Sequence, residues 1–256
     1  MMYIQNPYFG FQAVNPGHHP DYFPHYSYYV RQVNPVVLLA RQSVDVTGDR
    51  VPDQVSLLGQ RYSPETVYYR QLYIEVVDGA TQRRSTIPLP GGYNPKMQFF
   101  DFNGDQVADI YVSAETGGSG GISDFHLYSV INNIPRKLPV PQPLTITGQF
   151  QDHYRVSLSI REPNRTYTLD LSEKKSIYDQ AGYYRNGKLL TPSNILPNAY
   201  SVLRPVDPDR DGVYELYGVQ RIAGFYNADT IADVTSLWKW ERDRWRLVDV
   251  NVRKRI

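Results

Sequence analysis

Three short acidic segments contain the residues of this sequence that could bind an ion. Each is a nine-residue loop with oxygen-bearing side chains at positions one, three, five and nine and a valine at position seven. Alternate side chains of a tightly curled loop project toward one centre, and a glycine at position four or six eases that curl. In chain order the loops contain Asp45, Thr47, Asp49, Val51 and Asp53; Asp101, Asn103, Asp105, Val107 and Asp109; and Asp207, Asp209, Asp211, Val213 and Glu215.

Four side-chain oxygens and one valine carbonyl oxygen suit a hard cation. Ca²⁺ takes six to eight oxygen ligands, whereas Mg²⁺ prefers a small octahedron that keeps several waters. We therefore predict one Ca²⁺ per loop, about three in all, with the valine side chains turned into the core. Zinc is excluded from these loops because they offer no nitrogen or sulfur ligand. The third loop has four acids where the others have three, so charge alone predicts that it binds Ca²⁺ most tightly.

An EF-hand begins with the same spacing, but the rest of its pattern is missing. An EF-hand needs a bidentate acid at position twelve and a helix on either side of the loop. Position twelve is Ser56, Val112 or Gly218 in the three loops, and strand-like apolar runs flank each of them. The sequence therefore predicts that β-strands position these ligands.

The spacing of the loops predicts a repeat. The first aspartates stand at positions 45, 101 and 207, so the intervals are 56 and 106 residues, the second close to twice the first. Each unit of roughly 50 residues contains about four strand-like runs, as a propeller blade does. We predict an all-β fold, a β-propeller-like array of about four four-stranded blades over residues 33–256, with a Tyr/Pro/His-rich N-terminal arm at residues 1–32.

The pattern D-x-N-G-D-x-x-x-D followed by an apolar strand, found at Asp101–Asp109, resembles the calcium loop of FG-GAP or VCBS-type repeats. Such repeats form β-propellers like the integrin head. The resemblance extends over roughly residues 33–252 and is specific in the three loops. It implies that each blade holds one Ca²⁺ in the loop between its first two strands, with the residues at the matching loop positions as ligands. Seven blades are usual in that family, so a small closed ring, an open array and a ring completed by a partner all stay open.

A degenerate unit is predicted near residue 150, between the second and third loops. Aligning its strands with the other units puts Thr147, Gln149, Gln151 and Arg155 at ligand positions one, three, five and nine. Because no carboxylate remains, we predict that this unit binds no metal. One hypothesis is that the Arg155 guanidinium replaces the ion.

Composition excludes several classes of function. The net charge of +1 gives no overall field for nucleic acid, and the absence of cysteine excludes disulfides and thiolate metal sites. No run of about 18 apolar residues predicts a membrane span, and no signal peptide is visible at the N-terminus. The 22 tyrosines and 19 prolines favour strands and turns.

The function predicted from these features is a non-catalytic, calcium-binding scaffold or surface protein with a protein or glycan partner. The Tyr/Pro/His-rich arm is typical in composition of envelope or spore-coat proteins, which favours the cell envelope or spore surface; the oligomeric state stays open. The alternative is a carbohydrate-binding propeller lectin that uses loop 115–124 and an aromatic platform. A metal-dependent hydrolase is the least favoured, because no nucleophile–base pair is recognisable. Trp238, Trp240 and Trp245 would form the aromatic platform, but the favoured interpretation is that they pack in the core or on the outer blade.

Two further motifs are interpreted as structural. Ser119 lies in a G-x-S-x-G sequence, but a strand-like run follows where a nucleophile elbow needs a helix. We therefore place Ser119 in a flexible loop. His18, His19 and His25 lie in the arm, where they could bind a transition metal weakly or remain solvated.

Overall fold

Antiparallel β-strands form nearly all of the regular structure in the computed structural model, which describes residues 35–255. The all-β prediction is confirmed. The predicted N-terminal arm, with its three histidines, lies outside the described residues. The strands are β1 (Val36–Val44), β2 (Asp53–Arg61), β3 (Tyr69–Val77), β4 (Arg84–Phe100), β5 (Asp109–Glu115), β6 (Ser123–Ser129), β7 (Arg136–Leu138), β8 (Ile146–Gln151), β9 (Arg155–Ile160), β10 (Arg165–Asp170), β11 (Tyr184–Arg185), β12 (Lys188–Leu189), β13 (Leu196–Val206), β14 (Glu215–Ala223), β15 (Thr230–Glu241) and β16 (Arg244–Lys254).

Helical structure between residues 35 and 255 consists of α1 (Lys175–Gln180) and short 3₁₀ turns at Ile131–Asn133 and Ser172–Lys174. None of these segments has the length and apolar character needed to cross a membrane. Their role is packing: Tyr178 of α1 is fully buried in an apolar cluster beside β8–β10.

The first seven strands form one antiparallel meander in the order β1 to β7. Its central strand, β4, is 17 residues long and serves two groups of strands. The half from Arg84 to Gly92 pairs with β3, and the half from Tyr93 to Phe100 pairs with β5. In the second half the register with β5 shifts between Tyr93 and Lys96, where Asn94 has a φ of 45°. The first two predicted four-stranded units therefore share a strand and have no linker between them.

The last four strands form a separate four-stranded antiparallel sheet in the order β13–β14–β15–β16. A tight hairpin turn joins β15 to β16. Its two central residues, Arg242 and Asp243, have φ values of 51° and 62°, as the tight primed turns of hairpins require.

The predicted degenerate unit is present as strands but not as a loop. Strands β8–β10 form a three-stranded sheet, so the expected four-stranded blade is wrong here. Gln151 pairs directly with Arg155 across a tight turn, which leaves no room for nine ligand positions. Thr147 and Gln149 lie within β8 itself. The Arg155 side chain is exposed, so the hypothesis that it replaces an ion is also wrong.

Apolar clusters join the sheets, none of which closes on itself in the described part of the chain. One cluster joins the two halves of the β1–β7 sheet. A second places Tyr111 of β5 with Leu216 of β14. The third places Leu158 of β9 with Ile222 of β14. The β13–β16 sheet therefore packs on both the β4–β7 strands and the β8–β10 sheet, and the second and third acidic loops lie on neighbouring sheets.

Candidate metal centres

The three acidic loops occupy equivalent places in the fold. They join β1 to β2, β4 to β5, and β13 to β14, which are the first two strands of each four-stranded group. In every case position one follows the last residue of one strand and position nine is the first residue of the next. The sequence motif and the interruption between the strands therefore coincide in all three loops.

The backbone curls in the same way in each loop. Positions four and six both have positive φ, a conformation that favours glycine. Glycine occupies one of these positions in every loop, but it moves from position four in the first two loops to position six in the third. The φ values are 83° for Gly48 and 68° for Arg50, 77° for Gly104 and 66° for Gln106, and 60° for Arg210 and 86° for Gly212.

Loop carboxylates hold this curl by accepting hydrogen bonds from backbone N–H groups. In the second loop, Asp101 accepts from Gly104 N and Gln106 N, both at 2.7 Å, and Asp105 accepts from Val107 N at 2.9 Å. The Asn103 side-chain oxygen accepts from Asp105 N at 2.9 Å. The position-one and position-five acids of the other loops bond similarly: Asp45 to Gly48 N and Arg50 N, Asp49 to Val51 N, Asp207 to Asp211 N and Gly212 N, and Asp211 to Val213 N.

The position-nine acids are all buried, and the hydrogen-bond donors around them differ. In the first loop, Asp53 is fully buried. Its two oxygens accept from Val46 N at 2.8 Å, Thr47 N at 3.0 Å, the Thr47 hydroxyl at 3.3 Å and Gly79 N at 3.0 Å. Four donors match the lone-pair capacity of a carboxylate, so the protein itself satisfies this charge.

In the second loop, Asp109 is as deeply buried but has far fewer donors. Its carboxylate accepts one hydrogen bond, from Phe102 N at 3.2 Å. Burial, together with the charges of Asp105 and Asp101, raises the pKa of Asp109 to about 7, against the opposing effects of the Phe102 N–H and Arg136. A buried, under-solvated carboxylate beside two others is an environment that favours a cation.

In the third loop, an ammonium group lies among the acids. Lys239 Nζ is 2.9 Å from an oxygen of Asp209, 3.0 Å from one of Glu215 and 3.5 Å from one of Asp211. These contacts raise the pKa of Lys239, the hydrogen bond to Asp209 most and that to Glu215 next, and Lys239 in turn lowers the pKa of Asp209. The second Glu215 oxygen, Oε2, is buried and has no hydrogen-bond partner in the described structure.

Carboxylate oxygens of Asp207, Asp209 and Glu215 lie within 4.8 Å of one another. Among residues 35–255, no other group of three histidine or acidic side chains comes as close. The third loop therefore brings together its acids at positions one, three and nine, while Asp211 at position five stands outside this group. In the first two loops position three is Thr47 or Asn103, whose oxygens bond within the loop.

Strand register explains why only one loop has a lysine. Leu216 pairs with Trp238, so the next residue along β15, Lys239, faces Glu215. In the other two strand groups, the residue that faces the position-nine acid from the neighbouring strand is Asp78 opposite Asp53 and Ser129 opposite Asp109. Sequence reasoning missed Lys239 because it lies 24 residues beyond the loop. The signal is the alignment of β15 on β14, which the loop motif does not contain.

The position-seven valines pack differently from the prediction. Val51 is 39% exposed, and Val107 and Val213 are half-buried, so the expectation that their side chains enter the core is wrong. A methyl group of Val107 lies 3.0 Å from where a Cβ on Gly48 would stand, and Val213 likewise approaches Gly104 at 3.7 Å. The valine of each later loop therefore packs against the glycine of the loop before it, because the sheets lie side by side.

A hydrogen bond between neighbouring loops adds to this contact. Tyr214 N, in the third loop, donates to the Asp101 carbonyl oxygen at 2.7 Å. The rings of Tyr214 and Phe100 are 4.3 Å apart between centroids. The second and third loops therefore form one continuous surface.

A family model for the YybI C-terminal domain matches residues 144–253, which comprise β8 to β16. The Bacillus subtilis (strain 168) protein named "Uncharacterized protein YybI" is 35% identical over 246 residues, covering 93% of this chain and 91% of the relative. The chain belongs to the YybI family. No solved structure matches it. The YybI C-terminal domain match takes in both sheets that share the apolar cluster around Leu158 and Ile222.

The remaining candidate residues of this YybI-family chain have packing roles. The three tryptophans pack against the second apolar cluster, as the favoured interpretation expected: Trp240 and Trp245 contact edge to face at 5.2 Å, and the Trp245 indole N–H donates to the Pro139 carbonyl at 2.7 Å. The carbonyl of Ser119 accepts a hydrogen bond from Arg221, which holds loop 115–124 against β14.

Proposed function

We propose that this protein is a non-catalytic, calcium-binding scaffold in which the first two acidic loops each take a Ca²⁺ ion. The observation that carries the proposal is the ammonium of Lys239 among the acids of the third loop. A loop of the same backbone geometry there surrounds a positive charge. Within residues 35–255, no lysine, arginine or histidine nitrogen lies within 4 Å of the acids of the other two loops.

The donor set of these loops fits calcium. The second loop would hold the ion through Asp101, Asn103, Asp105, Asp109 and the Val107 carbonyl, all of them oxygen ligands. The first loop would use Asp45, Thr47, Asp49, Asp53 and the Val51 carbonyl. The single donor to buried Asp109 supports the second loop as the tighter site, because Asp53 already has four donors. A bound ion would supply charge compensation in both loops.

The scaffold role follows from where the loops lie. Each loop joins two strands, and consecutive loops pack through a valine–glycine contact, so an ion in one of these loops would stabilise the contact between them. The propeller-like arrangement of these sheets as blades is part of the proposal. An envelope or spore-surface location and a protein or glycan partner also stay predictions.

The alternatives have less support. The tryptophans that a sugar platform would need pack against the protein, so a lectin would depend on loop 115–124 alone. A hydrolase would need carboxylates free to act on a substrate. The loop acids at positions one and five instead accept hydrogen bonds from the backbone of their own loops.

Equilibrium dialysis of the full chain against Ca²⁺, with Mg²⁺ in parallel, tests the proposal. We expect at least two Ca²⁺ ions per chain, weaker binding of Mg²⁺, and a rise in melting temperature with Ca²⁺ that excess EGTA reverses. A protein that binds no Ca²⁺ at millimolar concentration, or that melts identically in Ca²⁺ and EGTA, would refute it.

A further inference from the structure

The third loop has the largest number of acids and also a cation within the protein. Lys239 Nζ lies within hydrogen-bonding distance of Asp209 and Glu215, two of the three residues whose oxygens are close enough to share an ion. Calcium would bind those oxygens at about 2.3–2.6 Å. Because the ammonium and a divalent ion would lie a few ångströms apart with like charge, both cannot occupy this place at once.

The lysine is held in this place by the sheet. It lies in β15, one residue beyond the Leu216–Trp238 pair, and its cross-strand partner in β16 is Arg246. Arg246 forms a two-point ion pair with Glu241, at 2.6 and 2.8 Å, so the neighbouring positive charge is already paired. The Lys239 side chain is only 30% exposed. A charged group that is fixed beside its binding site acts at a high effective concentration. A free Ca²⁺ ion must therefore compete with this group for the same oxygens.

We propose that Lys239 is a tethered competitor of Ca²⁺ that keeps the third loop folded without metal and makes it the weakest Ca²⁺ site of the three. This inference rests on the proposed calcium function of the other loops. It reverses the ranking expected from acid count alone. The buried Glu215 Oε2, which has no partner in the described structure, shows that the site can accept a further positive ligand once the lysine is removed.

The test is Lys239→Met in the full chain, compared with wild type and with Lys188→Met. Lys188 pairs with Asp152 at 2.7 Å on the surface, away from the loops, and controls for the loss of one lysine. Calcium titration by calorimetry should show one more ion per chain for Lys239→Met than for either control. The affinity of the added site should be at least tenfold above that of the wild-type third loop.

Two further variants assign the added ion. Asp207→Asn placed in the Lys239→Met background should abolish it, because Asp207 belongs to the same group of acids. Lys239→Arg keeps the positive charge and should restore the wild-type number of ions. If Lys239→Met unfolds in EGTA, circular dichroism should show that Ca²⁺ refolds it, which supports the proposal equally.

The outcomes separate this inference from the proposed function. Three equivalent Ca²⁺ sites in wild type, or no added ion in Lys239→Met, would overturn the inference that Lys239 competes with Ca²⁺. Either result would leave the proposed calcium binding of the protein intact. No Ca²⁺ binding by wild type would instead overturn the proposed function. In that case, thermal unfolding in EGTA tests whether Lys239 stabilises the metal-free third loop. Lys239→Met should have a melting temperature several degrees below that of Lys188→Met, and equal melting temperatures would overturn this stabilising role.

Discussion

The most informative perturbation is Asp109→Asn, because its effect on stability should change with calcium. Asp109 is 1% exposed, accepts one hydrogen bond and lies beside Asp101 and Asp105. Asparagine has nearly the same shape and can still accept from Phe102 N. It removes the buried charge, and with it both the repulsion among the acids and the charge that we propose binds the ion.

The magnitude follows from two opposing terms. A pKa of about 7 in place of 3.8 corresponds to about 4 kcal/mol against the ionised form, as an upper bound. A buried amide with imperfect partners costs about 1–3 kcal/mol, so without calcium the variant should be more stable by about 1–3 kcal/mol. At a hundredfold excess of Ca²⁺ over Kd, the loss of one site removes about 2.7 kcal/mol of calcium-dependent stabilisation of the folded state. For a domain of this size that is roughly 5–11 °C of calcium-dependent melting.

The assay is thermal unfolding at pH 8 in excess EGTA and in excess Ca²⁺, with Asp249→Asn as the matched control. Asp249 is an exposed aspartate on β16, far along the chain from any acidic loop. The control should match wild type in both conditions within about 0.5 kcal/mol. If Asp109→Asn destabilises the protein in EGTA, or retains the full calcium-dependent gain, the reasoning about the second loop is wrong.

Three further comparisons test the fold by urea unfolding. Lys174→Met leaves the buried carboxylate of Asp229 without its ion-pair partner and should lower the free energy of unfolding by about 3 kcal/mol. Lys188→Met removes an exposed ion pair and should lower it by less than about 1 kcal/mol. Burial, and then Lys137, lower the pKa of His126, so wild type should lose stability relative to His126→Gln as pH drops through about 6.5, while the raised pKa of Asp109 acts equally on both proteins; equal pH profiles would refute it. Gly48→Ala, with φ of 83° and a close valine, should cost more than Gly118→Ala, whose φ is 86° in open space; equal costs would argue against loop packing.

The sequence was sufficient to predict the strands and the places of the loops, because both depend on local pattern. Apolar runs predict β5 and β14, and the spacing of the acidic residues marks where each strand begins. The third unit was mispredicted because an interval of 106 residues was taken for two repeats. Residues 144–170 contain a separate three-stranded sheet whose turn, between Gln151 and Arg155, is too tight for an ion loop.

Contacts between elements far apart in the chain were beyond the sequence pattern. A position-seven valine is expected to be internal when one loop is considered alone, but Val107 packs on a different loop, at Gly48. Lys239 reaches Glu215 only because β15 aligns with β14 in one register, and a shift of one residue would turn its side chain to the other face of the sheet.

The three loops show why charge count is a poor guide to ion affinity. What attracts an ion is the acidic charge that the protein has not already compensated. Asp53 is compensated by four hydrogen-bond donors, Glu215 by an ammonium, and Asp109 by one N–H group. At position nine, the acid with the least compensation is therefore in the second loop, although that loop has fewer acids than the third. The same ranking predicts which loop loses its shape first in EGTA: hydrogen exchange should accelerate earliest at residues 101–109, and fastest exchange at 207–215 instead would contradict it.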